Sequence, residues 1–91
     1  MVALAVKIVL YAPQCHSLKE KRMIVRSIIS KVKNKFNVSI AEVDAQDVHQ
    51  TIVLGVAFVS ESRTHSQNAL DEVIRFVENN TEADLVSKEF E

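Results

Sequence analysis

Three side chains that can bind a metal fall near one predicted edge of the molecule. Cys15 and His16 follow the first apolar strand, and His49 lies in a short polar turn between two later strands. Thiolate and imidazole groups are ligands for zinc or copper. No pair has a recognised metal-binding spacing, however, and a ligand set has to converge on one point. We therefore expect no metal site and no cofactor, with Cys15, His16 and His49 as the only candidate ligands.

The same residues give little support for catalysis. Cys15 and His16 are neighbours in sequence, which is not the spatial geometry that a Cys–His pair requires, and no third orienting group is evident. The one glycine, Gly55, lies inside a predicted strand, so no glycine-rich loop presents backbone amides to a phosphate. The sequence therefore predicts a protein that is not an enzyme and has no catalytic residues.

The cations of the chain are concentrated in one segment. The formal net charge is −1, yet seven of the eleven Lys and Arg residues lie between Lys19 and Lys35, where Glu20 is the only acid. The stretch from Asp71 to Glu91 holds seven acids and two bases. Such asymmetry indicates charged partners rather than a particular fold.

Helical geometry gathers part of this charge into one narrow arc beside the apolar residues. The four cations in the arc are Lys19, Arg22, Arg26 and Lys33, whereas Lys21, Lys31 and Lys35 fall on the other flank. Four exposed cations in a row can follow a phosphate backbone. Alternatively, the long basic side chains cover the rim of a small core and keep the helix soluble. Helices of that kind usually mix signs, so the near absence of acids leans towards an anionic partner, and both interpretations stay open.

The predicted elements that position these residues alternate regularly. They are a strand over 2–12, a helix from Leu18 to about Lys35, strands over 38–46 and 51–60, a helix ending at Asn79 and Asn80, and a strand over 83–90. Pro13 ends the first strand because it has no N–H to donate. Ser17 with Glu20, and Thr64 with Gln67, match the capping-box pattern of a helix N-terminus.

The order β-α-β-β-α-β predicts a ferredoxin-like α+β fold, a four-stranded antiparallel sheet backed by two helices with the first and third strands at its centre. Both central strands are apolar on both faces, for example throughout residues 52–59. A sheet with one face in water should alternate apolar and polar residues, so we expect another subunit to cover the second face. In the second strand, Ile40 and Val43 are out of phase, which predicts a bulge near Ala41.

Length and composition set the remaining expectations. The chain has 91 residues, 47% of them hydrophobic and 25% charged, which predicts a single domain over residues 1–91 with a thin core. A lone cysteine cannot form an internal disulfide and fits a reducing cytosol. Residues 2–7 have no basic leader and are interrupted by Lys7, so they indicate a strand rather than a signal peptide or membrane span. We expect a cytoplasmic protein with no membrane partner.

Four segments together carry a family resemblance. They are HSLKEKR at 16–22, FNVSIAEVD at 36–44, QD at 46–47 and LGVA at 54–57. With them the chain resembles the YlxP-like family of small bacterial proteins of unknown function. The resemblance implies a ferredoxin-like fold, self-association, and contact with RNA or the ribosome, because family genes often lie beside those for translation-initiation and ribosome-maturation factors. The family has no established catalytic residues, so none is carried over, and the chain departs from relatives at 48–50, where they often have an aromatic residue.

These observations lead to one functional hypothesis and two alternatives. The hypothesis is a non-enzymatic accessory protein that contacts ribosomal RNA or a ribosome-assembly intermediate through Lys19, Arg22, Arg26 and Lys33. The first alternative is a small-molecule or metal-binding regulatory module at an oligomer interface near Cys15, His16 and His49. The second is a purely structural homo-oligomer whose charges serve solubility alone.

Overall fold

The computed structural model describes residues 1–91 and has the predicted order of elements. These are β1 (Val2–Tyr11), α1 (Leu18–Lys35), β2 (Ser39–Asp44), β3 (Thr51–Ser60), α2 (Arg63–Asn79) and β4 (Asp84–Phe90). The strands form one antiparallel sheet in the order β2-β3-β1-β4, so β1 and β3 are central. The ferredoxin-like α+β fold is therefore confirmed.

The core lies between the sheet and the two helices. The even-numbered residues of β1 and β3 point into it, and Ile8, Leu10, Ile52 and Leu54 are completely buried. The helices contribute Val25, Ile28 and Val32 from α1 and Leu70, Val73, Ile74 and Val77 from α2. Each such side chain stabilises the fold by roughly 1.5–3 kcal/mol through burial of apolar surface. Neither helix is long and apolar enough to cross a membrane.

The other face of the sheet, which we call the open face, carries the odd-numbered residues of the central strands. Ala5 pairs with Ala57, and Val9 pairs with Val53. Ala57 is exposed, and Val59 is 60% exposed. A shallow depression of about 380 Å³ lies around Gly55 on this face. The predicted apolar character of both faces is therefore present in the fold.

The two helices begin at serine caps. The Oγ of Ser17 accepts a hydrogen bond from the Glu20 amide at 3.1 Å, as the sequence predicted. The prediction of a second cap at Thr64 is wrong, since the Oγ of Ser62 accepts from the His65 amide at 3.1 Å. Ser62 has the extended backbone that an N-cap requires, whereas Thr64 already lies inside α2.

The bulge in β2 is present but lies beyond the predicted position. Ala41 pairs regularly with Gly55, and the register with β3 shifts between Glu42 and Asp44. Val43 is therefore the extra residue, and its Cγ1 lies 3.0 Å from where a Cβ on Gly55 would stand. The absence of a side chain at Gly55 leaves room for the Val43 side chain on the open face.

Candidate nucleic-acid interface

Helix α1 has one flank towards α2 and one flank directed away from it. On the first flank, Lys31 Nζ donates to the Asn80 carbonyl at 3.5 Å, and Ile24 shares a groove with residues 80–82. Arg22 and Arg26 lie roughly 180° and 140° around the helix axis from Lys31. They therefore occupy the outer flank, where α1 packs along the edge strand β2.

The structure brings together the four cations that the sequence singled out. Lys19, Arg22, Arg26 and Lys33 are all exposed and lie within about 60° of one another around α1. We call this row the basic stripe. The two ion pairs within the chain are Lys21 with Glu42 and His65 with Glu61, so no acid of the chain lies within ion-pair distance of the stripe. Its positive charge faces solvent unneutralised.

The acids of the second half of the chain lie on other elements. Asp71, Glu72 and Glu78 belong to α2, and Glu82 borders the groove between α1 and the segment after α2. This groove is on the α2 side of α1, opposite the stripe. The charge asymmetry along the sequence is thus also a spatial separation of the basic stripe from the acids of α2 and of the segment after it.

Lys21, which the sequence placed on the same flank of α1 as Lys31 and Lys35, is a buried cation. Its side chain is 2% exposed, and its Nζ donates to the carbonyls of Ala45 at 2.5 Å and Val48 at 2.7 Å. The same Nζ lies 2.9 Å from Glu42 Oε2. The two carbonyls accept hydrogen bonds from the ammonium and the carboxylate balances its charge, so these contacts hold the β2–β3 loop against α1. Lys21 is therefore unavailable to a partner.

The burial of Lys21 had a sequence signal. It lies four residues before Val25 and seven before Ile28, which are core positions, so it continues the apolar face of α1 by one turn. Glu42 Oε2 is also buried and accepts no well-directed hydrogen bond, so its contact with the ammonium is mainly electrostatic. A cation on an apolar helical face indicates a partner elsewhere in the chain.

The loops that carry the candidate metal ligands meet at one edge of the sheet, as the topology predicted. His49 Nδ1 lies 3.4 Å from the carbonyl oxygen of Cys15, and Gln50 Nε2 donates to that same oxygen at 3.2 Å. The contact of His49 is thus with the backbone of Cys15, and His16 is exposed. No three His, Cys, Asp or Glu side chains converge on one point. The edge is organised as a hydrogen-bonded junction of two loops.

The Cys15 thiol is in an environment that disfavours its reactive form. The residue is completely buried, and burial is the main cause that raises the pKa of the thiol, with a further increase from Glu20 and a smaller opposing effect from Lys21. A thiolate is the nucleophile and the metal ligand. The raised pKa therefore keeps Cys15 protonated and favours a structural role.

The fold and the surface together define a small ferredoxin-like α+β domain with an exposed, unpaired basic helix flank. The chain belongs to the family described as "Protein of unknown function (DUF503)", whose model matches residues 3–90. It is 45% identical over 62 residues to the "Uncharacterized protein YlxP" of Bacillus subtilis (strain 168), which covers 68% of this chain and 67% of that protein. The resemblance to the YlxP-like family is thus confirmed, and these descriptions assign no activity.

Proposed function

We propose that this protein is a non-enzymatic accessory factor that contacts RNA through the basic stripe. One observation carries the proposal: four exposed cations form a row on α1, and none has an acidic partner within the chain. Ribosomal particles and their assembly intermediates are the RNA targets to test first, because the family resemblance implies contact with them.

The composition of the stripe also supports a phosphate partner. Arg22 and Arg26 are one helical turn apart, and the planar guanidinium group binds phosphate oxygens through two parallel hydrogen bonds. Lys19 and Lys33 extend the row at either end. An exposed flank that served solubility alone would be expected to include acids, whereas Glu20 is the only acid in α1 and lies away from the stripe.

Four phosphate contacts would give weak and salt-sensitive binding. The logarithm of the affinity would fall with the logarithm of the salt concentration with a slope of about −3 to −4. Between 50 and 200 mM salt this corresponds to a loss of roughly 100-fold. The stripe alone therefore suits an accessory protein that binds RNA reversibly rather than a permanent component of a particle.

The first prediction concerns ribosomal particles. In the variant Arg22→Glu/Arg26→Glu, co-sedimentation with ribosomal particles at low salt should be lost, because two phosphate contacts become repulsive. Sucrose-gradient sedimentation followed by detection of the protein measures this directly. Nuclease treatment of the lysate should likewise release the wild-type protein from the particles.

A matched control keeps the net charge change and moves it to the other flank. The variant Lys31→Glu/Lys35→Glu should retain most of the co-sedimentation, since both residues lie on the α2 side of α1. Equal loss in the two variants would show that overall charge, and not the stripe, governs association. Co-sedimentation of the Arg22→Glu/Arg26→Glu variant at the wild-type level, or wild-type association that resists nuclease, would contradict the proposal and indicate an acidic protein as the partner.

We also infer that a second copy of this chain covers the open face. The central strands expose Ala3, Ala57 and Val59 there, and apolar surface of this kind is typical of subunit interfaces. Lys7 and Glu91 line the same depression without forming an ion pair. Because a two-fold interface is self-complementary, such an arrangement would allow Lys7 of one copy to pair with Glu91 of the other.

A further inference from the structure

We propose that the RNA bound by the basic stripe is a double helix, contacted through its phosphates, rather than a single strand. This inference rests on the proposed function and names the class of RNA involved. It follows from the shape of the stripe, from the positions of the aromatic side chains, and from the surface on which the stripe lies.

The stripe is straight and rigid. Its cations lie on one α-helix of 18 residues, and Lys19 and Lys33 are about 21 Å apart along the helix axis. Serine capping at Ser17 and packing of Val25, Ile28 and Val32 into the core hold this helix in place. A fixed row of charges matches the regular phosphate ridge of a duplex, whereas a flexible single strand offers no fixed spacing to match.

The stripe lies on a convex surface. Proteins that bind single strands use a positively charged groove that follows the backbone, together with aromatic side chains on which the bases stack. The outer flank of α1 is instead the outside of a helical cylinder. Double-stranded RNA is recognised mostly by its shape and by contacts to phosphates and ribose hydroxyl groups. A convex helix with cations on its outer side can approach the phosphate ridge of a duplex without unstacking any base.

The aromatic side chains of the chain are engaged elsewhere. Phe36 and Phe76 pack edge to face with ring centroids 5.4 Å apart, and Phe90 packs against the core. Tyr11 pairs with Thr51 in the sheet and belongs to the open face, away from the helices.

Phe58 lies beside one end of the stripe. It lines a depression beside Lys33, but its ring packs against the core and lies 5.7 Å from the ring of His65. The stripe therefore has cations for phosphates and no exposed aromatic ring on which successive bases could stack.

The second prediction compares the binding of single-stranded and double-stranded RNA. An unstructured RNA of about 20 nucleotides, and the same strand annealed to its complement, are titrated with the protein by fluorescence anisotropy at low salt. The duplex should bind about ten-fold more tightly, since its phosphates are denser and fixed in position. In Arg22→Gln/Arg26→Gln, the salt slope for the duplex should become shallower by about 2, whereas Lys31→Gln/Lys35→Gln should leave it near the wild-type value.

The possible outcomes separate this inference from the proposed function. A single strand that binds as tightly as the duplex would overturn the inference and leave RNA binding intact, with Phe58→Leu then testing whether bases stack beside Lys33. Binding to neither RNA would overturn the proposed function itself. Duplex binding whose salt slope is unchanged in Arg22→Gln/Arg26→Gln would place the contact outside the stripe and overturn the inference.

Discussion

Lys21 shows how one residue can combine a charge with a core position. Its methylene chain continues the apolar face of α1, and its ammonium reaches the carbonyls of Ala45 and Val48 and the carboxylate of Glu42. Ala45 has a positive φ of 55°, which is uncommon for a residue with a side chain. The ammonium therefore stabilises a loop whose backbone is intrinsically unfavourable at one position.

The third prediction is made at this scale. Lys21→Met keeps the apolar chain but leaves two carbonyls and a largely buried carboxylate without their cation. The free energy of unfolding should fall by about 3 kcal/mol, as measured by urea denaturation. Lys19→Met, at an exposed position in the same helix, should change it by no more than about 0.5 kcal/mol.

The role of Glu42 provides an internal check on that result. If the loss arises from an unpaired carboxylate, adding Glu42→Gln to Lys21→Met should recover part of the stability. A Lys21→Met protein as stable as the wild type would mean that the ion pair and the two hydrogen bonds do not hold the loop.

At the scale of elements, the helix starts depend on which serine or threonine has the right backbone. Ser62 caps α2, and its neighbour Ser60 reinforces the corner by donating to the Ser62 carbonyl at 2.7 Å. Thr64, two residues further on, lies inside the helix and is exposed. Both residues suit a cap by type, so the geometry of the β3–α2 connection decides between them.

The fourth prediction tests this choice with two matched substitutions. Ser62→Ala should lower the free energy of unfolding by about 1 kcal/mol, because the His65 amide loses its acceptor. Thr64→Ala should be neutral or slightly stabilising, since alanine has the higher helix propensity. Thermal or urea unfolding of the two variants measures the difference. A larger loss of stability in Thr64→Ala than in Ser62→Ala would indicate that Thr64 is the N-cap.

At the scale of the whole molecule, the two surfaces for which we propose partners lie on different sides of the sheet. The basic stripe lies on the helical side, along the β2 edge, whereas the open face lies on the opposite side of the sheet. A copy of the chain on the open face would leave Lys19, Arg22 and Arg26 of each stripe accessible, whereas Lys33 borders a depression that also includes Ala57 and Val59. Self-association and RNA contact are therefore compatible, and a dimer would present two stripes to one RNA.

The fifth prediction concerns the open face. Light scattering coupled to size exclusion at micromolar concentration should give a dimer or a larger assembly, hence at least twice the chain mass of 10.2 kDa. Ala57→Glu, which adds a charge to an exposed position on this face, should give a folded monomer. Val48→Glu, an equivalent change at an exposed loop position, should leave the assembly intact. A wild-type protein that is monomeric under these conditions would exclude the inferred interface.

Local patterns in the sequence were sufficient for the order of elements, the central position of β1 and β3, the Ser17 cap and the row of cations on α1. Each of these depends on residues a few positions apart, and the periods of helices and strands make such relations readable. The strand order followed because short connections restrict the topologies available to this order of elements.

The periodicity of α1 places Lys21 on its apolar face, but only the tertiary structure decided which groups neutralise this cation. Lys21 is of the same residue type as Lys19, but its acceptors lie 24 and 27 residues away in the β2–β3 loop. Likewise, the bulge falls at Val43 rather than near Ala41, since Gly55 on the neighbouring strand leaves space for the Val43 side chain. The pairing partners and the bulge position depend on contacts between segments that are distant in sequence, so local periodicity does not determine them.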